Sequence, residues 1–148
     1  MKTARKRLLI VDDDRDALAS LKLLLETSYD VCLSDSGVQA LTEINGGFYP
    51  DAVLLDLMMP TMDGIEFARE MARVGVKAPI LVISADPEAE RKGREIGDVE
   101  VLRKPFTYEQ LKTKLERVLQ GRGTPRSGGG PGFLRGLFIL VPSRLGGA

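Results

Sequence analysis

Five short apolar runs recur along the chain: residues 8–11 (LLIV), 31–33 (VCL), 52–55 (AVLL), 80–83 (ILVI) and 99–102 (VEVL). Three of them are continuous and aliphatic or β-branched, as strands covered on both faces are. Helix-period stretches separate them. Leu18, Leu21 and Leu25 share one stripe, Val38, Leu41 and Ile44 a second, and Ile65, Ala68 and Met71 a third. Residues 88–96 are mostly charged and predict a weak, exposed helix. Leu111, Leu115, Val118 and Leu119 mark the last one.

Polar punctuation agrees with this alternation. Ser36-Gly-Val-Gln39 and Thr107-Tyr-Glu-Gln110 both match a capping box. Asp86 before Pro87 predicts an N-cap followed by Pro at the first helical position. Gly46-Gly47 and Gly75 stand where helices should stop. Strand and helix thus alternate five times before residue 120. Such alternation predicts right-handed βαβ units, and hence an α/β fold with a doubly wound parallel sheet.

Residues 121–148 differ in character, with nine Gly and three Pro. The expected organisation is one domain over 1–120 and a Gly/Pro-rich, flexible tail over 121–148. Within the tail, 122–132 reads as a linker. The segment 133–141 (FLRGLFILV) is apolar but shorter than the ~20 residues of a membrane span. It reads either as a plain extension or as a short docking segment. Twenty-eight Gly-rich residues cannot build a helix-turn-helix, so no direct DNA binding is expected. No signal peptide is read at the N-terminus.

Composition narrows the chemistry. Basic and acidic residues number 21 each among 148, but the tail is +4 and the first 120 residues are −4. An acidic domain argues against nucleic acid as its partner. There is no His, which removes Ser-His-Asp, Cys-His and zinc–imidazole chemistry. The lone Cys32 allows no internal disulfide and fits a reducing compartment, so a cytoplasmic location is expected. Carboxylates, hydroxyls, Lys and a metal remain.

In an open parallel sheet, ligands bind beyond the carboxyl ends of the strands. The polar residues there are Asp12, Asp13 and Asp14 after the first strand and Asp56 after the third. Ser84 follows the fourth, and Arg103, Lys104 and Pro105 follow the fifth. Crowded carboxylates call for a cation, and hard oxygen ligands with room for water suit Mg²⁺. An aspartate can attack phosphorus and form an acyl phosphate. Lys and Ser can neutralise and hydrogen-bond the transferred group. Taken singly, each has a bland reading: Asp as a helix cap, Ser as a turn residue, Lys as a solvated charge. All of them at successive strand ends are hard to explain by chance.

These residues carry a resemblance. Leu9-Ile10-Val11-Asp12-Asp13-Asp14, Asp51 to Asp56 with Pro60, Asp63 and Gly64, Pro79 to Ser84-Ala85, and Lys104-Pro105-Phe106 resemble a two-component response-regulator receiver domain. The likeness is to the single-domain, chemotaxis-regulator-like form and covers about residues 6–120. It implies a flavodoxin-like (βα)₅ sheet of order 2-1-3-4-5. It implies that Asp56 accepts the phosphoryl group. Asp13 would hold Mg²⁺ most directly, with Asp12 assisting, Asp56 contributing and Met58 offering its backbone carbonyl. Ser84 and Lys104 would contact the phosphoryl oxygens, and the bond before Pro105 would be cis.

The resemblance further implies a protein switch rather than a turnover enzyme, one that catalyses only its own phosphorylation and dephosphorylation. A histidine kinase or histidine phosphotransfer protein would supply the phosphoryl group. A downstream protein would dock on the face made by helix 4, strand 5 and helix 5. Similar proteins tune the phosphoryl lifetime at the positions of Met58 and Asp86. Two departures stand out. Val101 occupies the switch position, where the family commonly has Tyr or Phe. The stretch from Ser84 to Lys104 is slightly short, which points to a short or shifted fourth helix. Two rival readings come from other classes. A scaffold that is never phosphorylated draws some support from Val101. An aspartate-nucleophile phosphatase lacks its second aspartate, since that position is Met58.

Overall fold

The computed structural model describes residues 4–121. The expectations for the tail, and for residues 1–3, lie outside the described residues. Five strands and five helices alternate: β1 (Arg7–Val11), α1 (Arg15–Leu25), β2 (Asp30–Ser34), α2 (Gly37–Asn45), β3 (Ala52–Leu55), α3 (Gly64–Arg73), β4 (Ile80–Ser84), α4 (Ala89–Ile96), β5 (Glu100–Arg103) and α5 (Tyr108–Leu119). All strand pairs are parallel and the order is β2-β1-β3-β4-β5. The α/β class and the strand order match the sequence-based expectation.

Successive strand residues face opposite sides of the sheet, so each continuous apolar run feeds two cores. Leu8, Ile10, Leu54, Leu81 and Ile83 point to one side and meet Leu18, Leu21 and Leu25 of α1 and Leu111, Leu115 and Val118 of α5. Leu9, Val11, Val53, Leu55 and Val82 point to the other and meet α2, α3 and Ala89 of α4. The sheet is thereby covered on both faces. Its polar strand ends are the residues left without an apolar cover.

Two helical stripes differ from expectation. In α2 the buried positions are Gly37, Ala40 and Ile44, while Val38 is half exposed. In α3 they are Gly64, Phe67, Ala68 and Met71, with Ile65 only partly buried. Both expected stripes used a spacing of three, which drifts off a helix of 3.6 residues per turn; the observed i, i+3, i+4, i+7 set does not. Strand β5 begins at Glu100, one residue later than expected. The chain is still turning before it: Gly97 has φ +145° and the Val99 amide donates to the Gly97 carbonyl at 3.0 Å.

The cap expectations divide. Thr107 and Gln110 form the reciprocal box, with 2.9 and 3.1 Å bonds. Ser36 accepts from the Gln39 amide at 3.0 Å, but the Gln39 side chain binds the Asp35 amide instead of that of Ser36. Asp86 does not cap α4. Regular helix starts at Ala89 after Glu88, which makes no side-chain cap bond, and the Asp86 carboxylate accepts from the Glu88 amide at 2.8 Å. Helix α4 is the shortest described helix, with 8 residues. That agrees with the short Ser84-to-Lys104 stretch.

Phe67 is fully buried and fills the junction of α3 with the sheet. Phe67→Ala is expected to cost about 3–4 kcal/mol in urea unfolding, whereas Val38→Ala is expected to change stability by less than about 0.5 kcal/mol. A small effect at Phe67 would contradict the assigned α3 face.

Candidate functional site

The register of β1 against β3 places Val11 opposite Leu55, so the next residues, Asp12 and Asp56, leave the sheet side by side. Both are buried, at 3% and 8% exposure, while Asp13 is exposed. One carboxylate oxygen from each of Asp12, Asp13 and Asp56 lies within 4.8 Å of the others. Asp14 has a separate task. It caps α1 by accepting from the Asp16 and Ala17 amides at 2.9 and 3.2 Å. The sequence alone could not say which of the three neighbouring aspartates would cap.

Backbone donors hold the two buried carboxylates. Asp12 Oδ1 accepts from the Asp14 amide at 2.9 Å, and Asp56 Oδ1 accepts from the Met58 amide at 3.2 Å. Lys104 reaches over from the end of β5, with Nζ 3.4 Å from Asp12 Oδ2. The Lys104–Pro105 peptide bond is cis. Ser84, fully buried at the end of β4, accepts from the Asp86 amide at 3.0 Å through Oγ. Its carbonyl accepts from the Lys104 amide at 3.0 Å, which joins the β4 and β5 ends. A serine oxygen that accepts still has its own hydrogen to donate.

The electrostatics follow from this crowding. Burial, then the neighbouring Asp12 charge, pushes the Asp56 carboxyl up from 3.8 to about 6; the Met58 amide and Lys104 pull the other way without cancelling them. Three oxygen donors around a spot short of positive charge are a chemical fit to a divalent hard cation such as Mg²⁺.

Gly64 stands where the chain packs too closely for a side chain. A Cβ there would sit 2.7 Å from the Asp56 carbonyl oxygen and 2.8 Å from Leu57 Cα. The start of α3 passes directly beneath the loop that carries Asp56. Val101 is half-buried on β5, paired with Val82, and packs toward Gly93 of α4. Val101, Arg103, Pro105, Glu109, Lys114 and Arg117 help line a groove of about 580 Å³ between β5 and α5. One residue that the sequence did not single out also reaches the site: Lys92, on the charged α4, is paired with Asp86. Their spacing matches no helix-face or cap pattern, so nothing in the sequence pairs them.

A doubly wound parallel sheet carries an acidic triad, a hydroxyl and an ammonium at its carboxyl edge. The chain belongs to the response regulator receiver domain family, whose pattern matches residues 8–116. Response regulator MprA of Mycolicibacterium vanbaalenii is 41% identical over 127 residues, covering 84% of this chain and 54% of that protein. The chain thus spans about half the length of the curated relatives it matches. Among solved structures, Vibrio cholerae chemotaxis protein CheY4 is 29% identical with a TM-score of 0.71, covering 78% of this chain and 99% of that one. A BeF3-activated DrrB receiver domain is 25% identical with a TM-score of 0.68, covering 79% and 99%. Receiver domains of this family belong to two-component phosphorelay signalling. Among the described residues no helix is long and apolar enough to cross a membrane.

Asp56 binds a proton more tightly in the folded chain than in the unfolded one, where its pKa is near 3.8. The stability this contributes is present at low pH and is lost as pH rises through about 6. In metal-free protein, Asp56→Asn is therefore expected to raise stability by about 1–2 kcal/mol at neutral pH, with the gain vanishing below about pH 4. Chemical denaturation at several pH values in chelator checks this.

Proposed function

We propose that Asp56 is the phosphoryl acceptor of this receiver domain and that it works with Mg²⁺. The observation that carries the reading is the meeting of Asp12, Asp13 and Asp56 within 4.8 Å, with Lys104 3.4 Å from Asp12. Asp13, Asp12, Asp56 and the Met58 carbonyl would hold the ion, which supplies positive charge to the donor phosphate. Asp56 must be ionised to attack, and a pKa near 6 leaves it mostly so at neutral pH.

Its carboxylate oxygen attacks the phosphorus of a phosphohistidine in line. The new bond is an acyl phosphate, and the bond to the imidazole nitrogen breaks. That histidine belongs to a histidine kinase or histidine phosphotransfer protein, a separate chain or a separate part of a longer protein, since residues 1–148 contain none. Lys104 and the Ser84 hydroxyl stabilise the spread negative charge. Hydrolysis returns the carboxylate.

The acyl phosphate then biases two arrangements of the α4–β5–α5 face, where a downstream protein docks. The groove there carries both charge signs: Glu100 takes Lys114 and Arg117 at 3.2 and 3.3 Å, and Arg103 takes Glu90 at 2.9 Å. At the switch position Val101 offers no ring to swing inward, so we read the response as a shift of the α4–β5 packing. The reading places the chain in the cytoplasm, as a self-modifying switch without a turnover substrate. The neighbour solved in a BeF3-activated state supports a phosphoryl-type ligand at this edge.

Acetyl phosphate should label the chain only when Mg²⁺ is present, and Asp56→Asn should abolish labelling. Lys104→Met should slow it by about 10²-fold or more. Intact-mass spectrometry reads each. A protein that stays unlabelled under all conditions would instead be a scaffold with the receiver fold, the reading that Val101 favours.

A further inference from the structure

The loop that carries Asp56 and the loop that carries Ser84 are tied together by one side chain from α4. Lys92 Nζ pairs with Asp86 Oδ2 and lies 3.9 Å from Met58 Sδ. Asp86 is two residues beyond Ser84, and its amide donates to Ser84 Oγ at 3.0 Å. Met58 is two residues beyond Asp56, and its amide donates to Asp56 Oδ1 at 3.2 Å. The contacts therefore form a chain from one loop to the other: Asp56, Met58, Lys92, Asp86, Ser84. Each link but Lys92 is local to its own loop. Lys92 supplies the cross-connection in this chain of contacts, and it does so from the side of α4.

The strap is built rather than incidental. The Asp86 side chain is 10% exposed and that of Lys92 29%, so the pair is better shielded than Arg91–Glu88, at 54% and 58%. Lys92 and the Glu88 amide together hold the Asp86 carboxyl below the ordinary carboxylate range. Beside the strap lies a pocket of about 490 Å³ lined by Leu57, Met58, Met59, Asp63, Ile65 and Lys92. Lys92 and the exposed Met58 side chain both line it, beside the loop that carries Asp56.

We propose that Lys92 is a positioning residue: it latches the β4–α4 loop to Met58 over the acceptor and thereby sets how readily water reaches the acyl phosphate. The lifetime part rests on Asp56 being the phosphoryl acceptor; the latch itself does not. In the step it controls, water attacks phosphorus and the bond between phosphorus and the Asp56 oxygen breaks. The Asp56 carboxylate is regenerated and dihydrogen phosphate leaves, losing a proton to solvent at neutral pH. With the latch intact, Lys92 holds Met58 and Asp86 together beside the acceptor loop. Without the ammonium, Asp86 loses its cross-loop partner and both loops move more freely.

Two variants of the full chain test it. Lys92→Met keeps the apolar stem and removes the charge; Lys92→Arg keeps a charge able to pair with Asp86. In the unphosphorylated protein, amide hydrogen exchange at Met58, Asp86 and Glu88 is expected to speed up about threefold to tenfold in Lys92→Met, with Lys92→Arg close to the parent. After labelling with acetyl phosphate and removal of donor, loss of phosphate from Lys92→Met is expected to be faster by a similar factor. Raising salt to 1 M should speed the parent toward Lys92→Met and leave that variant little changed. Thermal melting should stay within about 2 °C of the parent for both variants, since a partly exposed ion pair adds little to global stability.

Unchanged exchange at these amides in Lys92→Met overturns the latch. Faster exchange with an unchanged phosphate lifetime overturns its control of hydrolysis, as does failure of Lys92→Arg to restore the lifetime. A parent chain that takes no label contradicts the acceptor role and removes the lifetime claim, while the exchange comparison still decides the latch.

Discussion

The site rests on two carboxylates forced together where little water reaches them. The β1–β3 register sets Asp12 against Asp56 at the C-terminal edge of the sheet, and the apolar runs behind them bury both. Two charges that close cannot both ionise cheaply in a poorly solvated place. The molecule answers with backbone donors from Asp14 and Met58 and with one lysine, and still leaves Asp56 with a raised pKa. That residual deficit of positive charge is what makes the edge a chemical fit for a divalent cation, on which the proposed phosphoryl acceptor role rests.

Other features can be understood as serving this arrangement. Asp14 takes the helix-capping task, which leaves Asp13 free and exposed beside the buried pair. Gly64 lets α3 begin against the Asp56 carbonyl, so the helix supports the acceptor loop without displacing it. The bond from the Lys104 amide to the Ser84 carbonyl fixes the ammonium-bearing and hydroxyl-bearing ends to each other. Helix α4 is short, uncapped by a side chain, buries only Ala89 and Gly93, and covers Val101 through a glycine. A fold needs such a place if a charge change at one edge is to be felt at a docking surface.

Much of this was legible in the sequence because strand ends are. Continuous apolar runs bounded by Asp, Ser and Lys announce both the parallel sheet and the chemistry at its edge, and Asp12, Asp13, Asp56, Ser84 and Lys104 do gather there. What was not legible depended on phase or on contacts distant in sequence. A spacing of three placed Val38 in the core and left out Phe67, because short helices give too few turns to separate that spacing from 3.6. Asp86 looked like a cap, yet its carboxylate is engaged by Lys92 and by the Glu88 amide. The contacts through Lys92 join three separate stretches of sequence, and no local pattern encodes them.

The most direct measurement is the titration of the Asp56 carboxyl carbon by NMR, in chelator and then with saturating Mg²⁺. The expected result is an apparent pKa near 6 without metal, as burial and Asp12 dictate, and a clear fall when the ion is added. A value near the ordinary 3.8 in chelator, or one that Mg²⁺ leaves unmoved, would contradict the claim that crowded buried carboxylates make this edge a cation-dependent phosphoryl site.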